Sequence, residues 1–118
     1  MAEFGLFVGW GSPYPGKEMA SVKVFEEAVA YWGALQAAGE IESVEYALLG
    51  AHGGDLGGFA LLRGDPEKLG RLGMSPEFQR LTMRAAACLD HVGVVSATLD
   101  AGVMGMLAQW KEALADLI

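Results

Sequence analysis

Thiols, positive charge and histidine are all scarce in this sequence, and each shortage closes off a class of function. A single cysteine, Cys88, excludes an internal disulfide and makes a reducing cytoplasm the expected compartment. Eight Lys and Arg face fifteen Asp and Glu, for a net charge of -7 and a pI near 4.6. Such a field repels phosphate, so neither nucleic acid nor an anionic membrane surface is expected as a partner. The basic residues cluster between Arg63 and Arg84, but Asp65, Glu67 and Glu77 are interleaved with them, which describes a solvated mixed surface. Two histidines cannot complete a zinc set: Cys88 and His91 lie three apart with a helix end expected between them, and no metal is expected. A long uninterrupted apolar run is missing as well. The amino-terminal stretch carries Glu3 where a secretory leader would be basic and is broken by glycines, so a strand is expected there. The most apolar window, Val92 to Trp110, has Asp100 at its middle, and no transmembrane span is expected.

What is abundant is apolar residue and glycine. Hydrophobic residues make up 53% of the 118 positions and charged ones only 19%, which leaves more apolar surface than a domain of this size hides by itself and points to self-association. One domain spanning residues 1–118 is expected. Its organising stretch is Ile41 to Asp65, two apolar strands joined by a glycine-rich turn around His52 to Gly58.

In chain order, Phe4 to Gly11 reads as a strand covered on both faces and Ser12 to Gly16 as a proline-stiffened loop. Lys17 to Ala38 reads as a helix with Phe25, Ala28, Trp32 and Leu35 on one face, ended by Gly39 as a left-handed cap. Strands follow at Glu42 to Gly50 and Phe59 to Arg63. The pairs Asp65–Pro66 and Ser75–Pro76 are N-caps followed by proline at the first helical position, which opens helices at Glu67 to Leu72 and Pro76 to Leu89. The stripe of the second is Phe78, Leu81, Ala85 and Cys88 or Leu89. Val92 to Leu99 is a fourth strand, and Met104 to Leu117 a final amphipathic helix.

The order βαββαβ is an internal repeat of strand, helix and strand. Pairing the halves gives an α+β fold, a ferredoxin-like four-stranded antiparallel sheet in the order 4-1-3-2 with its two main helices on one face. The first and third strands are then central, and they are the two with least polar alternation. A helical layer covers one face only, so the other calls for a partner, and an obligate homodimer joined sheet to sheet is expected.

The residues AAGEIES before the second strand, HGGDLGGFALLRGD across the hairpin and SPEF at the later helix resemble small bacterial proteins of uncharacterised function. These belong to the dimeric α+β-barrel class, which also holds YCII-related proteins and small monooxygenases of antibiotic biosynthesis. The resemblance implies fold and dimer more than chemistry. YCII-related proteins are associated with a His near the start of the first helix and an Asp before a Pro in the second half. Here Gly16 to Phe25 has no His and the pre-proline position is Ser75, so that acid–base pair is absent.

Two motif look-alikes fail on chemistry. GSPYPGKE, Gly11 to Glu18, has Glu18 where a phosphate loop needs Ser or Thr, and its prolines lack the amides that cradle phosphate. GGFALL, Gly57 to Leu62, has Leu61 where an RNA-binding strand needs a second stacking aromatic.

The expected topology gathers Trp10, Tyr14, Lys17, Glu18, His52, Asp55 and His91 at one end of the sheet. His52 and Asp55 are the candidate acid–base pair, because imidazole changes charge near neutral pH and a carboxylate tunes it. Trp10, Tyr14, Lys17, Glu18 and His91 are the candidate ligand-binding residues. HGGD has a purely structural reading too, with glycines at positive φ and Asp55 bonding its own backbone. Three functions stand: a dimeric small-molecule-binding or structural protein, a cofactor-free oxygenase or isomerase, and a module docked to another protein. The enzyme would act on an apolar or aromatic metabolite in a cavity between sheet and helices, with Trp10 as a wall. No cofactor is expected.

Overall fold

The computed structural model describes residues 2–117. Four strands, β1 (Phe4–Trp10), β2 (Ser43–Leu48), β3 (Gly58–Arg63) and β4 (Gly93–Thr98), form one sheet in the order β2-β3-β1-β4. Every pairing is antiparallel. From the opposite edge this is the expected 4-1-3-2. Helices α1 (Glu18–Ala37), α2 (Pro66–Gly73) and α3 (Pro76–Cys88) connect the strands, and α4 (Ala101–Ala113) follows β4.

Alternation along the central strands separates the two faces. Leu6 on β1 and Ala60 and Leu62 on β3 point to the helices and form the core with Ala28, Trp32 and Phe78. Ala60 and Leu62 have no accessible surface. Burying a side chain such as Leu62 contributes about 1.5–3 kcal/mol. The opposite face carries Phe7, stacked on Phe59 with ring centroids 5.2 Å apart, together with Leu61 and Val95. No helix covers it, and Val95 is 57% exposed. At one end of this face Arg63, almost fully buried, donates from Nε to Glu45 Oε1 (2.7 Å) and from Nη1 to Asp100 Oδ2 (2.9 Å).

The helix boundaries are set by the caps read from the sequence. Asp65 Oδ2 accepts from the Lys68 N–H (3.1 Å), and Ser75 Oγ accepts from the Phe78 N–H (3.4 Å). Gly39, at φ +78°, ends α1: its N–H donates to Gln36 O and the Glu40 N–H donates to Leu35 O, the paired bonds of a Schellman turn. The end of β1 and both ends of β2 and β4 retreat by one or two residues from their expected positions, whereas β3 starts one residue earlier, at Gly58, and ends at Arg63 as expected. Just past β1, the Gly11 N–H donates outside the ladder, to Asp90 O (2.9 Å).

The final helix differs more. It starts at Ala101, three residues before the expected Met104, and ends at Ala113, with turns after it. Its start follows a tight turn in which the Gly102 N–H donates to Leu99 O (2.9 Å) and Asp100 takes φ 52° and ψ -127°. Those are the angles of the first central residue of a type II′ turn, a position dominated by residues such as Gly, Asn and Asp. Asp100 gives α4 no side-chain cap, since its carboxylate is on Arg63. Val103, Met106, Leu107 and Trp110 form a stripe on α4, with Leu114 just past its end, but the helix is only weakly amphipathic, since Met104 and several Ala and Gly share its other side, and no residue of α4 is buried. α4 therefore stands off the domain. The radius of gyration is 16.2 Å, against about 13.5 Å for a compact chain of this length. Among the described residues no helix is long and apolar enough to cross a membrane.

Candidate functional site: an apolar cavity under the helices

On β1 the residues after Leu6 that face the helices are Val8 and Trp10, and Trp10 reaches the end of the sheet. Over them lie α1, bringing Phe25 and Trp32, and α3, bringing Leu81 and Ala85. Small residues, Ala28 and Ala85 on the helices and Gly11 and Gly57 at the strand ends, stand where larger side chains would fill the layer. A cavity of about 490 Å³ remains. That lies within the 300–1,000 Å³ range of small-molecule sites. Val22 and Leu48 line it while remaining 47% and 77% exposed, which places them at its mouth.

Among the described residues no charged side chain lines the cavity. Its two side-chain hydroxyls are both held by their own helices: Ser21 Oγ donates to Glu18 O (2.6 Å) and Thr82 Oγ1 donates to Phe78 O (2.9 Å). The aromatic part of the wall is fixed by edge contacts. Trp10 meets Phe25 at 5.7 Å and 65°, and Phe25 meets Tyr46 at 5.9 Å and 74°. Burial raises the Tyr46 phenol pKa above its ordinary value.

The end of the cavity is closed by three chain crossings. The Gly57 N–H donates to Trp10 O (2.7 Å), and a Cβ at Gly57 would collide with Gly11 O, so only glycine permits that approach. Asp90 holds the loop after β1, accepting from the Ser12 N–H at Oδ1 (2.7 Å) while its own N–H donates to Ser12 O (3.0 Å). Pro13 then bridges to Leu89, and the Tyr14 N–H donates to Cys88 O (2.9 Å). The proline-stiffened loop is thereby fastened to the end of α3.

Of the seven residues singled out in the sequence, only Trp10 lines the cavity. Asp55 and His91 do come together: His91 Nε2 lies 4.0 Å from Asp55 Oδ1, and Gly11 sits against the His91 ring and the Asp55 carbonyl. Both side chains are largely exposed. His52 is engaged within its own turn, its Nε2–H donating to Leu56 O (2.8 Å) and its Nδ1 accepting from the Gly54 N–H (3.3 Å). Those two bonds select one neutral tautomer. The side chain that fastens the HGGD turn is thus His52 rather than the expected Asp55. Tyr14 is 45% exposed, Lys17 precedes the first turn of α1 and Glu18 Oε1 accepts from the Gly16 N–H (3.2 Å), all three outside the cavity wall.

Sequence reading placed Phe25, Trp32, Phe78, Leu81 and Ala85 in helix stripes and assigned them to packing alone. Thr82, one turn after Phe78, was the available signal, a hydroxyl beside an apolar stripe. Asp90 was not singled out.

One ion pair clamps the two helices over the cavity. Arg84 Nη2 on α3 donates to Glu27 Oε1 (2.6 Å) and Oε2 (3.1 Å) on α1. The hydrogen bond from Arg84, opposed by burial, holds the Glu27 pKa below its ordinary value.

Strand order, antiparallel pairing and helices layered on one face define a ferredoxin-like α+β protein. A crystal structure from Bacteroides fragilis NCTC 9343 that is similar in fold is described as a dimeric protein of unknown function and ferredoxin-like fold. It matches with a TM-score of 0.56 over 82% of this chain and 97% of its own, at 14% sequence identity. That likeness is one of fold. No family model matches the chain. No curated protein matches it either.

The lowered Glu27 pKa gives a pH dependence of known sign. A carboxyl whose folded pKa lies below its unfolded value stabilises the fold above the ordinary carboxylate range, and that contribution is lost as pH falls through the range. Thermal melts between pH 7 and pH 3 should therefore show Glu27→Gln losing less stability than the wild type, the two curves converging at the acid end.

Proposed function

We propose that the chain is the subunit of a homodimeric binding protein that holds a small apolar molecule between its sheet and its helices. The observation that carries this reading is the cavity, of ligand size, walled by aromatic and aliphatic side chains and, among the described residues, free of lining charge. Binding is favoured over catalysis because His52 has both ring nitrogens occupied in its turn and lies outside the wall. Were the cavity to host acid–base chemistry in a cofactor-free oxygenase or isomerase, Asp55 with His91, beside Gly11, would be the nearer pair.

The homodimer belongs to the same proposal. The uncovered sheet face, with Phe7, Phe59, Leu61 and Val95, is apolar at its centre, and joining two such faces gives a dimeric α+β barrel. The stripe on α4 is a further apolar surface that its own chain leaves open. A similar fold occurs in a protein described as dimeric. A distant kinship with YCII-related proteins and a cytoplasmic setting, in which the buried Cys88 stays reduced, complete the reading.

Sedimentation at micromolar concentration should give twice the 12.4 kDa chain mass. Val95→Glu, which sets a charge on the uncovered face, should give the monomer with unchanged far-UV circular dichroism. A monomeric wild type would contradict the dimer.

For the cavity, n-butylbenzene is a suitable uncharged probe. At ten times its Kd it should stabilise the native state by about 1.4 kcal/mol. That is roughly 5 °C in Tm for a domain of this size. Ala85→Phe, which fills the cavity, should abolish the shift, and equal shifts in both proteins would place the probe elsewhere.

A further inference from the structure

Resting on the proposal that the cavity binds a small molecule, we infer that it selects an uncharged, fused-ring aromatic compound bearing one hydroxyl. Size sets the first limit. A volume of about 490 Å³ lies in the lower part of the range of small-molecule sites. A ligand on the order of ten to fifteen non-hydrogen atoms, two fused rings with a small substituent, fits a space of that size.

Charge sets the second limit. Among the described residues no lining residue is ionisable in the carboxylate or amine sense, and Arg84, whose Nη2 is paired with Glu27 across the helices while its buried Nε has no hydrogen-bond partner, is not part of the lining. An ionised ligand group would enter the cavity without a partner, and burying an unpaired charge is strongly unfavourable. An acid or amine must therefore bind more weakly than a neutral molecule of the same shape.

Shape and polarity set the rest. Aromatic rings reach the cavity from three elements, Trp10 from β1, Phe25 and Trp32 from α1 and Phe78 from α3. Rings supplied from several sides favour a flat aromatic guest by offset-stacked and edge-to-face contact. Ser21 and Thr82 each donate their only proton to a carbonyl of their own helix, so the lone pairs remain for a ligand. Either can accept a hydrogen bond, which a phenolic hydroxyl supplies and an ether does not.

Three naphthalenes of matched shape test this by isothermal titration calorimetry at pH 7: 2-naphthol, 2-methoxynaphthalene and 2-naphthoate. The wild type should bind 2-naphthol tightest, the methyl ether roughly three- to tenfold more weakly and the carboxylate at least thirtyfold more weakly. In Ser21→Ala/Thr82→Val the gap between naphthol and ether should close while n-butylbenzene still stabilises the protein. Thr82→Val alone, close in volume to the wild type, gives the same comparison if the double variant fails to fold, and the gap should then narrow. Naphthoate binding as tightly as naphthol, or a gap unchanged in the hydroxyl variants, would overturn the selectivity and leave the binding cavity standing. Absence of binding by all three naphthalenes and by n-butylbenzene would remove both.

Discussion

The antiparallel pairing of β1 with β3 is the contact on which the rest of the molecule depends. Its register, Leu6 opposite Leu62 and Phe7 opposite Leu61, assigns every side chain of the two central strands to one face or the other. A shift of one residue would carry Leu6, Ala60 and Leu62 out of the core and put Phe7 and Leu61 in. The same pairing ends with Trp10 opposite Gly58, which brings Trp10 to the closed end of the cavity. Core and cavity wall are thus successive rungs of one ladder, and the uncovered apolar face is its reverse side.

The fold was legible because it is written in local signals of short range. Asp65–Pro66, Ser75–Pro76 and Gly39 mark helix ends through bonds made within a few residues, and the structure contains those bonds. The strand order followed from an internal repeat. The candidate site was less legible because a cavity is a three-dimensional remainder, the volume left where Ala28 and Ala85 lie opposite strand ends. Nothing in the spacing of α1 or α3 separates a residue facing a void from one facing a neighbour. Trp10 was found because topology alone delivers it to the sheet end. His52 attracted attention through its chemistry, and its hydrogen bonds turned out to be local.

α4 shows a different limit. Its apolar stripe can be read from the sequence, but a stripe says only that a face wants cover and not what covers it. A helix of thirteen residues containing Gly102 and Gly105 is marginal without tertiary contact, since isolated helices of that length are barely stable in water. Its departure from the sheet is fixed by Asp100, held at positive φ while its carboxylate pairs with the buried Arg63. Arg63 also binds Glu45 and lies at the edge of the uncovered face. One guanidinium therefore ties β2, β3 and the root of α4 together, so the direction of α4 is coupled to the face through which the homodimer is proposed to form.

Ligand uptake beneath the helices is the account's central claim, and the placement of the three tryptophans allows it to be tested directly. Trp10 and Trp32 line the cavity, whereas Trp110 stands on α4, outside it. Fluorine NMR of protein labelled with 5-fluorotryptophan, titrated with n-butylbenzene, reports on all three at once. The account predicts that the Trp10 and Trp32 resonances shift and saturate together while that of Trp110 stays in place. Movement of Trp110 alone, or no movement of Trp10 and Trp32 at saturating probe, would contradict it.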